Sequence, residues 1–223
     1  MQIDIVSLFP SICQGALGES VIGRAWKEGV VKINLIDLRD YTHDARKTVD
    51  DKPYGGGVGM VLRPEPLFEC LNDITTPDAH VVLMTPQGRP FCQETARRYS
   101  KMSHLILVCG HYEGIDERAR QCLMDEELSL GDYVLTNGAI AASVVADATI
   151  RLLPGALGDD ASSEEESFGN EPLLEYPQFT RPADYKGMKV PEVLLNGNHQ
   201  EVDAWRLEQR VLRTIGRRAD MLS

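Results

Sequence analysis

Five consecutive apolar residues, Leu105, Ile106, Leu107, Val108 and Cys109, end at Gly110 and the polar run His-Tyr-Glu-Gly-Ile-Asp-Glu-Arg. A short unbroken apolar run bounded by glycine suits a strand buried on both faces of a parallel sheet, because helices cover both of its faces. The loop that follows then opens at a strand's carboxyl end, where open α/β sheets leave backbone groups free for ligands. Two further segments resemble it: Val81 to Met84 leads into Thr-Pro-Gln-Gly-Arg at 85–89, and Leu130 leads into Gly-Asp-Tyr-Val-Leu-Thr-Asn-Gly at 131–138. Three such loops can line one pocket, and Gly110, Gly114, Gly131 and Gly138 permit close backbone approach or positive φ. On spacing alone, an ordinary βα turn explains each of them more simply.

Strand-like runs at 3–8 and 31–36 bracket an expected helix, and further helices are expected at 65–72, 93–101 and 139–153. The last is unusually apolar, carries Asp147 and Arg151 at i, i+4 as an expected pair, and stops at Pro154-Gly155. Alternating strands and helices place the chain in the α/β class with a parallel sheet. A length of 223 residues suits one large domain with a small appendage. The acidic, small and polar stretch 159–167 reads as a mobile connector. The expected division is a domain at 1–158, a linker at 159–170 and a small helical domain at 171–223. Within the last, 176–182 is extended by its prolines, and a helix starts at Asn198 with Glu201 in the capping-box position.

No run approaches the roughly 18 apolar residues of a membrane span, and Met1-Gln2-Ile3-Asp4 lacks a basic signal start. A soluble, cytoplasmic protein with no membrane partner is expected. The five cysteines are scattered and lack Cys-x-x-Cys spacing, which argues against a disulfide framework or a zinc site. A net charge of −11 argues against a generic polyanion binder, so nucleic-acid contacts must use local basic patches. Two patches qualify. Arg39, Arg46, Lys47, Lys52 and Arg63 flank Tyr-Gly-Gly-Gly-Val-Gly-Met at 54–60, and arginines at 206, 210, 213 and 217 share one face of the final helix. The 54–60 block fails as a dinucleotide fingerprint, because no clear strand precedes it and Val61-Leu62 stands where the third glycine belongs.

Leu8-Phe9-Pro10, Tyr41-Thr42-His43-Asp44, the 48–60 block, 85–89, 109–118, 131–135, Leu-Pro-Gly-Ala-Leu-Gly at 153–158, Phe179-Thr180-Arg181-Pro182 and Gly197-Asn198-His199 occur in one order across residues 3–218. Taken together they closely resemble the bacterial tRNA (guanine-N1)-methyltransferases, the TrmD family. The resemblance implies a SPOUT-type parallel sheet with a deep trefoil knot, which overrides the topological expectation of an unknotted sheet. It implies a homodimer with active sites at the subunit interface, and transfer of a methyl group from S-adenosylmethionine to N1 of guanosine 37 in tRNA. Residue by residue, the cofactor loops match Thr85, Pro86, Gln87, Gly88, Gly110, Glu113, Leu130, Gly131, Asp132, Tyr133, Val134, Leu135 and Gly138. Arg151 matches the family's catalytic arginine, and Glu166 falls at its catalytic aspartate. Glu113 and Glu166 are the implied contacts for Mg²⁺. The implied RNA contacts are Arg39, Arg46, Lys47, Lys52, Arg181, His199, Arg206, Arg210 and Arg213.

Departures from the family pattern accompany the match. Glu166 extends the carboxylate by about 1.5 Å, one C–C bond, and the adjacent Glu164 and Glu165 could substitute for it. Asn-Gly-Ala-Ile-Ala at 137–141 stands where many members have Gly-Gly-Glu-Leu-Pro, and His111 where some have arginine. Many members continue beyond the position of Ser223, so less RNA-binding surface is expected here. Two readings compete with the leading one: an RNA-binding protein with a degenerate site, and a related methyltransferase acting on another RNA position.

Overall fold

The computed structural model describes residues 1–157, 166–169 and 171–222. Of the expected linker at 159–170, residues 159–165, with Glu164 and Glu165, and residue 170 lie outside them. The chain forms two compact units, Met1–Gly158 and Asp159–Ser223.

The first unit is built on strands β1 (Gln2–Ser7), β2 (Lys32–Asp37), β5 (Ala79–Pro90), β6 (His104–Cys109) and β7 (Glu126–Ser129). They form a wholly parallel sheet in the order β2-β1-β6-β5-β7. The apolar run at 105–109 is the central strand, buried at every position. Its side chains alternate between two cores: Leu105, Leu107 and Cys109 on one face, Ile106 and Val108 on the other. Helices α1 (Pro10–Leu17), α2 (Ser20–Lys27), α4 (Gln93–Tyr99) and α6 (Gly138–Ile150) cover the first face. Helices α3 (Pro64–Ile74) and α5 (Glu117–Leu123) cover the second.

The single helix expected between the first two strands is instead two. The Gly18 N–H closes α1 on the Gln14 carbonyl, and a Cβ on Gly23 of α2 would lie 2.3 Å from the Gly18 carbonyl oxygen. The two helices touch through bare glycine. A second difference concerns 85–89, read as a βα turn, which the structure places within β5. Met84 and Arg89 both pair with Leu128 of β7, so the residues between them bulge out of the ladder. Pro86 has no N–H to give that ladder.

The 54–60 block is the tip of a hairpin between β3 (Asp50–Asp51) and β4 (Val61–Leu62), with Gly55, Gly56, Gly57 and Gly59 all at positive φ. Helix α6 carries small residues because it lies deep: Ser143 and Thr149 are buried, and their hydroxyls donate to the carbonyls of Ala139 and Val145 at 2.8 and 2.7 Å.

At the amino end of the sheet, Glu126 ties β7 to its neighbours. Its carboxylate accepts from Arg98 Nη2 at 2.7 Å and from Tyr99 Oη at 3.0 Å, and lies 3.0 Å from His80 Nε2. Burial raises its pKa, but the hydrogen bonds from Arg98, His80 and Tyr99 outweigh that and leave it below the ordinary carboxylate value. A depressed carboxyl stabilises the fold above its unfolded pKa, and that contribution disappears as pH falls through the folded one. Glu126→Ala is therefore expected to cost about 2 kcal/mol at neutral pH. The gap to the parent should narrow on acidification. Urea denaturation across that range checks it; a gap independent of pH would contradict it.

The second unit contains a hairpin of β8 (Asp184–Tyr185) and β9 (Met188–Lys189), turned by Lys186 and Gly187 at φ 54° and 82°. Its long helix is α7 (His199–Arg217). The expected capping box forms between side chains only: Glu201 accepts from Asn198 Nδ2 at 2.8 Å and from Asn196 Nδ2 at 2.6 Å. Among the described residues no helix is long and apolar enough to cross a membrane.

Candidate functional site

A cavity of about 320 Å³ opens at the carboxyl ends of β5, β6 and β7, within the size range of small-ligand sites. Its floor is a close backbone contact. The Gly138 N–H at the start of α6 donates to the Gly110 carbonyl at 2.8 Å. A Cβ on Gly138 would lie 2.8 Å from both Cys109 Cα and Gly110 N, so only glycine allows α6 to approach the end of β6 this closely. Asn137 caps α6, its Oδ1 accepting from the Ala139 N–H at 3.0 Å.

Of the expected cofactor residues, Thr85, Pro86, Gln87, Gly110 and Glu113 line this cavity from one side, and Leu130, Tyr133, Val134, Leu135 and Gly138 from the other. Gly88, Gly131 and Asp132 do not line it. Gly88 packs against β7, where its Cβ would sit 2.3 Å from the Leu128 nitrogen. Gly131 shapes the turn: at φ 151° its N–H donates to Ser129 Oγ at 3.2 Å and its carbonyl accepts from the Tyr133 N–H at 2.9 Å.

Several lining residues escaped the sequence reading of the cofactor pocket, Arg120, His111 and Tyr112 among them. Arg120, on α5, donates to Gln87 Oε1 at 2.9 Å and to Glu127 Oε1 at 2.6 Å, holding the 85–88 bulge against β7. Nothing local marks it. His111 and Tyr112 belong to a loop that sequence does single out; their place in the wall depends on Tyr112 adopting φ 56°, which costs a bulky residue about 1–2 kcal/mol. His111 Nδ1 is buried without a hydrogen-bond partner among the described residues. Burial, and then the positive Arg39, lower the His111 pKa, so the ring is neutral near pH 7.

The orphaned imidazole nitrogen and apolar walls from Met84, Leu128 and Leu135 fit a small ligand carrying both a ring and polar groups. A magnesium site is another matter. Among the described residues no group of three or more His, Cys, Asp or Glu side chains gathers to hold a metal ion. Glu113 is exposed, with its side chain beside Gly59. No chemical step is assigned to Mg²⁺ here.

Arg151 is the C-cap of α6; its N–H returns to the Asp147 carbonyl at 3.1 Å, and its charge interacts with the Asp147 carboxylate. Glu166 opens a turn in the second unit, its carbonyl accepting from the Gly169 N–H at 3.0 Å, with Phe168 at φ 64°.

The expected RNA contacts divide by environment. Arg46, Lys52, Arg181 and His199 are exposed. Lys47 pairs with Asp40 at 2.7 Å, and Arg39 is half-buried and donates to the Leu8 carbonyl. The stripe on α7 turns partly inward: Arg210 pairs with Glu171 at 2.9 Å, Arg206 lies 4.8 Å from the Tyr176 ring centroid, and Arg213 is half-buried. Helical spacing puts these arginines on one face but does not say which way that face points.

The model of the family described as tRNA (Guanine-1)-methyltransferase TrmD matches residues 1–223. A tRNA (guanine-N(1)-)-methyltransferase of Carboxydothermus hydrogenoformans is 51% identical over 222 residues, covering 100% of this chain and 87% of the relative. Its namesakes from Geobacillus kaustophilus and Staphylococcus epidermidis are each 50% identical, covering 100% of this chain and 91% of theirs. With the family model matching residues 1–223 and relatives about half identical over the whole of this chain, the chain belongs to the tRNA (guanine-1)-methyltransferase TrmD family.

Proposed function

We propose that this protein methylates N1 of a guanosine in tRNA, the one at position 37 beside the anticodon, using S-adenosylmethionine. The observation that carries the reading is the cavity floored by Gly110 and Gly138 at the strand ends, in a chain that matches the family over its whole length.

When bound, S-adenosylmethionine supplies a methyl group on a positively charged sulfur. Gln87, steadied by Arg120, and the main chain of 110–115, 130 and 133–135 would hold it. Guanine N1 carries a proton near neutral pH, so methylation there requires a base. Glu166 takes that role, accepting the N1 proton as the N1–carbon bond forms, a contribution of about 10²- to 10⁴-fold. As N1 loses its proton, negative charge builds on guanine O6, where Arg151 is the cation that stabilises it, and it is discharged as the methyl leaves its sulfur for N1. To reach the cavity, the base leaves the loop stack at a cost of a few kcal/mol.

The reading extends to a SPOUT-type knot, supported by the tight passage of 137–138 against 109–111 and the bridge between His111 and Asn137. It also includes a homodimer that completes the active sites, and work in the cytoplasm, where tRNA is matured.

Incubation with unmodified tRNA and methyl-labelled S-adenosylmethionine should yield 1-methylguanosine, and nuclease mapping should place it at position 37. Label at another position would make this a methyltransferase of different specificity. Binding of tRNA without any label would leave an RNA-binding protein with a degenerate site.

A further inference from the structure

Three rings and a guanidinium meet beside the cavity. Phe9 follows β1, Arg39 follows β2, and His111 and Tyr112 follow β6, so residues from three neighbouring strands converge on one stretch of the sheet's carboxyl edge. The Arg39 guanidinium carbon lies 5.2 Å from the Phe9 ring centroid. The Phe9 and His111 rings are 5.3 Å apart, and the His111 and Tyr112 rings 4.3 Å apart, edge to face. Rings clustered in this way usually finish a core. Here Phe9 is 41% and Tyr112 45% exposed, while His111 Nδ1 between them has no partner.

The cluster is held in place. The Gly114 N–H donates to the His111 carbonyl and the Glu113 N–H to the Met60 carbonyl, each at 3.0 Å, which fixes Tyr112 at its positive φ. Arg39 is anchored on the Leu8 carbonyl. A neutral imidazole sits beside Arg39 without repulsion.

We propose that Phe9, His111, Tyr112 and Arg39 form a stacking platform for the unpaired base next to the target guanine in the RNA loop. The assignment rests on the methyl-transfer reading above. Moving the guanine into the cavity strips its neighbour of a stacking partner, and aromatic or guanidinium faces replace one for any base. The platform begins at His111 and Tyr112, which also line the cavity, so a nucleotide adjacent to the flipped guanine reaches it directly.

Phe9 lies outside the cavity lining, which allows a clean test. Binding of an unmodified anticodon stem–loop is measured for the parent, Phe9→Leu and Phe9→Tyr, with an intact loop and with an abasic nucleotide on either side of the target guanine. Phe9→Leu should bind the intact loop about tenfold more weakly and lose little further on one of the abasic loops, because both changes remove the same contact. Phe9→Tyr should behave as the parent, and S-adenosylmethionine affinity should be the same in all three. Equal losses on intact and both abasic loops would mean a merely structural Phe9, and no loss would mean no stacking. A shift in sedimentation would make the cluster a contact between copies of the chain. Each of these overturns the platform. Absence of 1-methylguanosine from the parent would overturn the methyl-transfer reading alone, since the binding comparison does not depend on it.

Discussion

Gly138→Ala should weaken S-adenosylmethionine binding by tenfold or more and lower stability by about 1–3 kcal/mol, the usual cost of overpacking. The reason is purely steric. Gly138 has an ordinary φ, which alanine adopts freely, but the added Cβ would lie 2.8 Å from Cys109 Cα and Gly110 N. Those are backbone atoms of the central strand's end and cannot swing aside. Helix α6 must shift instead, taking the cavity floor with it. Gly15→Ala is the contrast: it sits within α1 with nothing within 4 Å of its Cβ, so it should gain about 0.5–1 kcal/mol from helix propensity. Calorimetric titration and thermal melting of both variants read the difference. Full cofactor affinity in a folded Gly138→Ala protein would remove the cavity assignment.

Glu166→Gln should slow single-turnover methylation by about 10²-fold or more while tRNA and cofactor affinities change little. Glutamine keeps the size and polarity of the side chain but cannot accept the N1 proton. Glu166→Asp should retain substantial activity, since it restores the residue type of the family's motif. If Glu166→Gln stays fully active and Glu165→Gln does not, the base is one residue earlier. Should both remain active, no carboxylate of this segment is the base.

Parts of this architecture are legible in the chain because they depend on neighbours in sequence. The apolar run at 105–109 read as a strand buried on both faces, and Gly110 marked where it stops. The 85–88 segment was legible as a loop facing ligand but not as a bulge, since a bulge is defined by the partner strand, and Leu128 lies forty residues away. Arg120 had no local signature either; its role comes from Gln87 and Glu127 meeting it across the sheet edge.

By itself, then, the sequence determined the α/β alternation, the central strand and the ordered set of motifs that places the chain in its family, all properties of short windows and their order. Only the tertiary structure decided which glycine is bound by a neighbour's backbone, that the α7 arginines turn toward Tyr176 and Glu171, and that Phe9, Arg39, His111 and Tyr112 share one edge. Those facts depend on how distant segments pack, and periodicity gives a side chain's face on its own element without saying what that face meets.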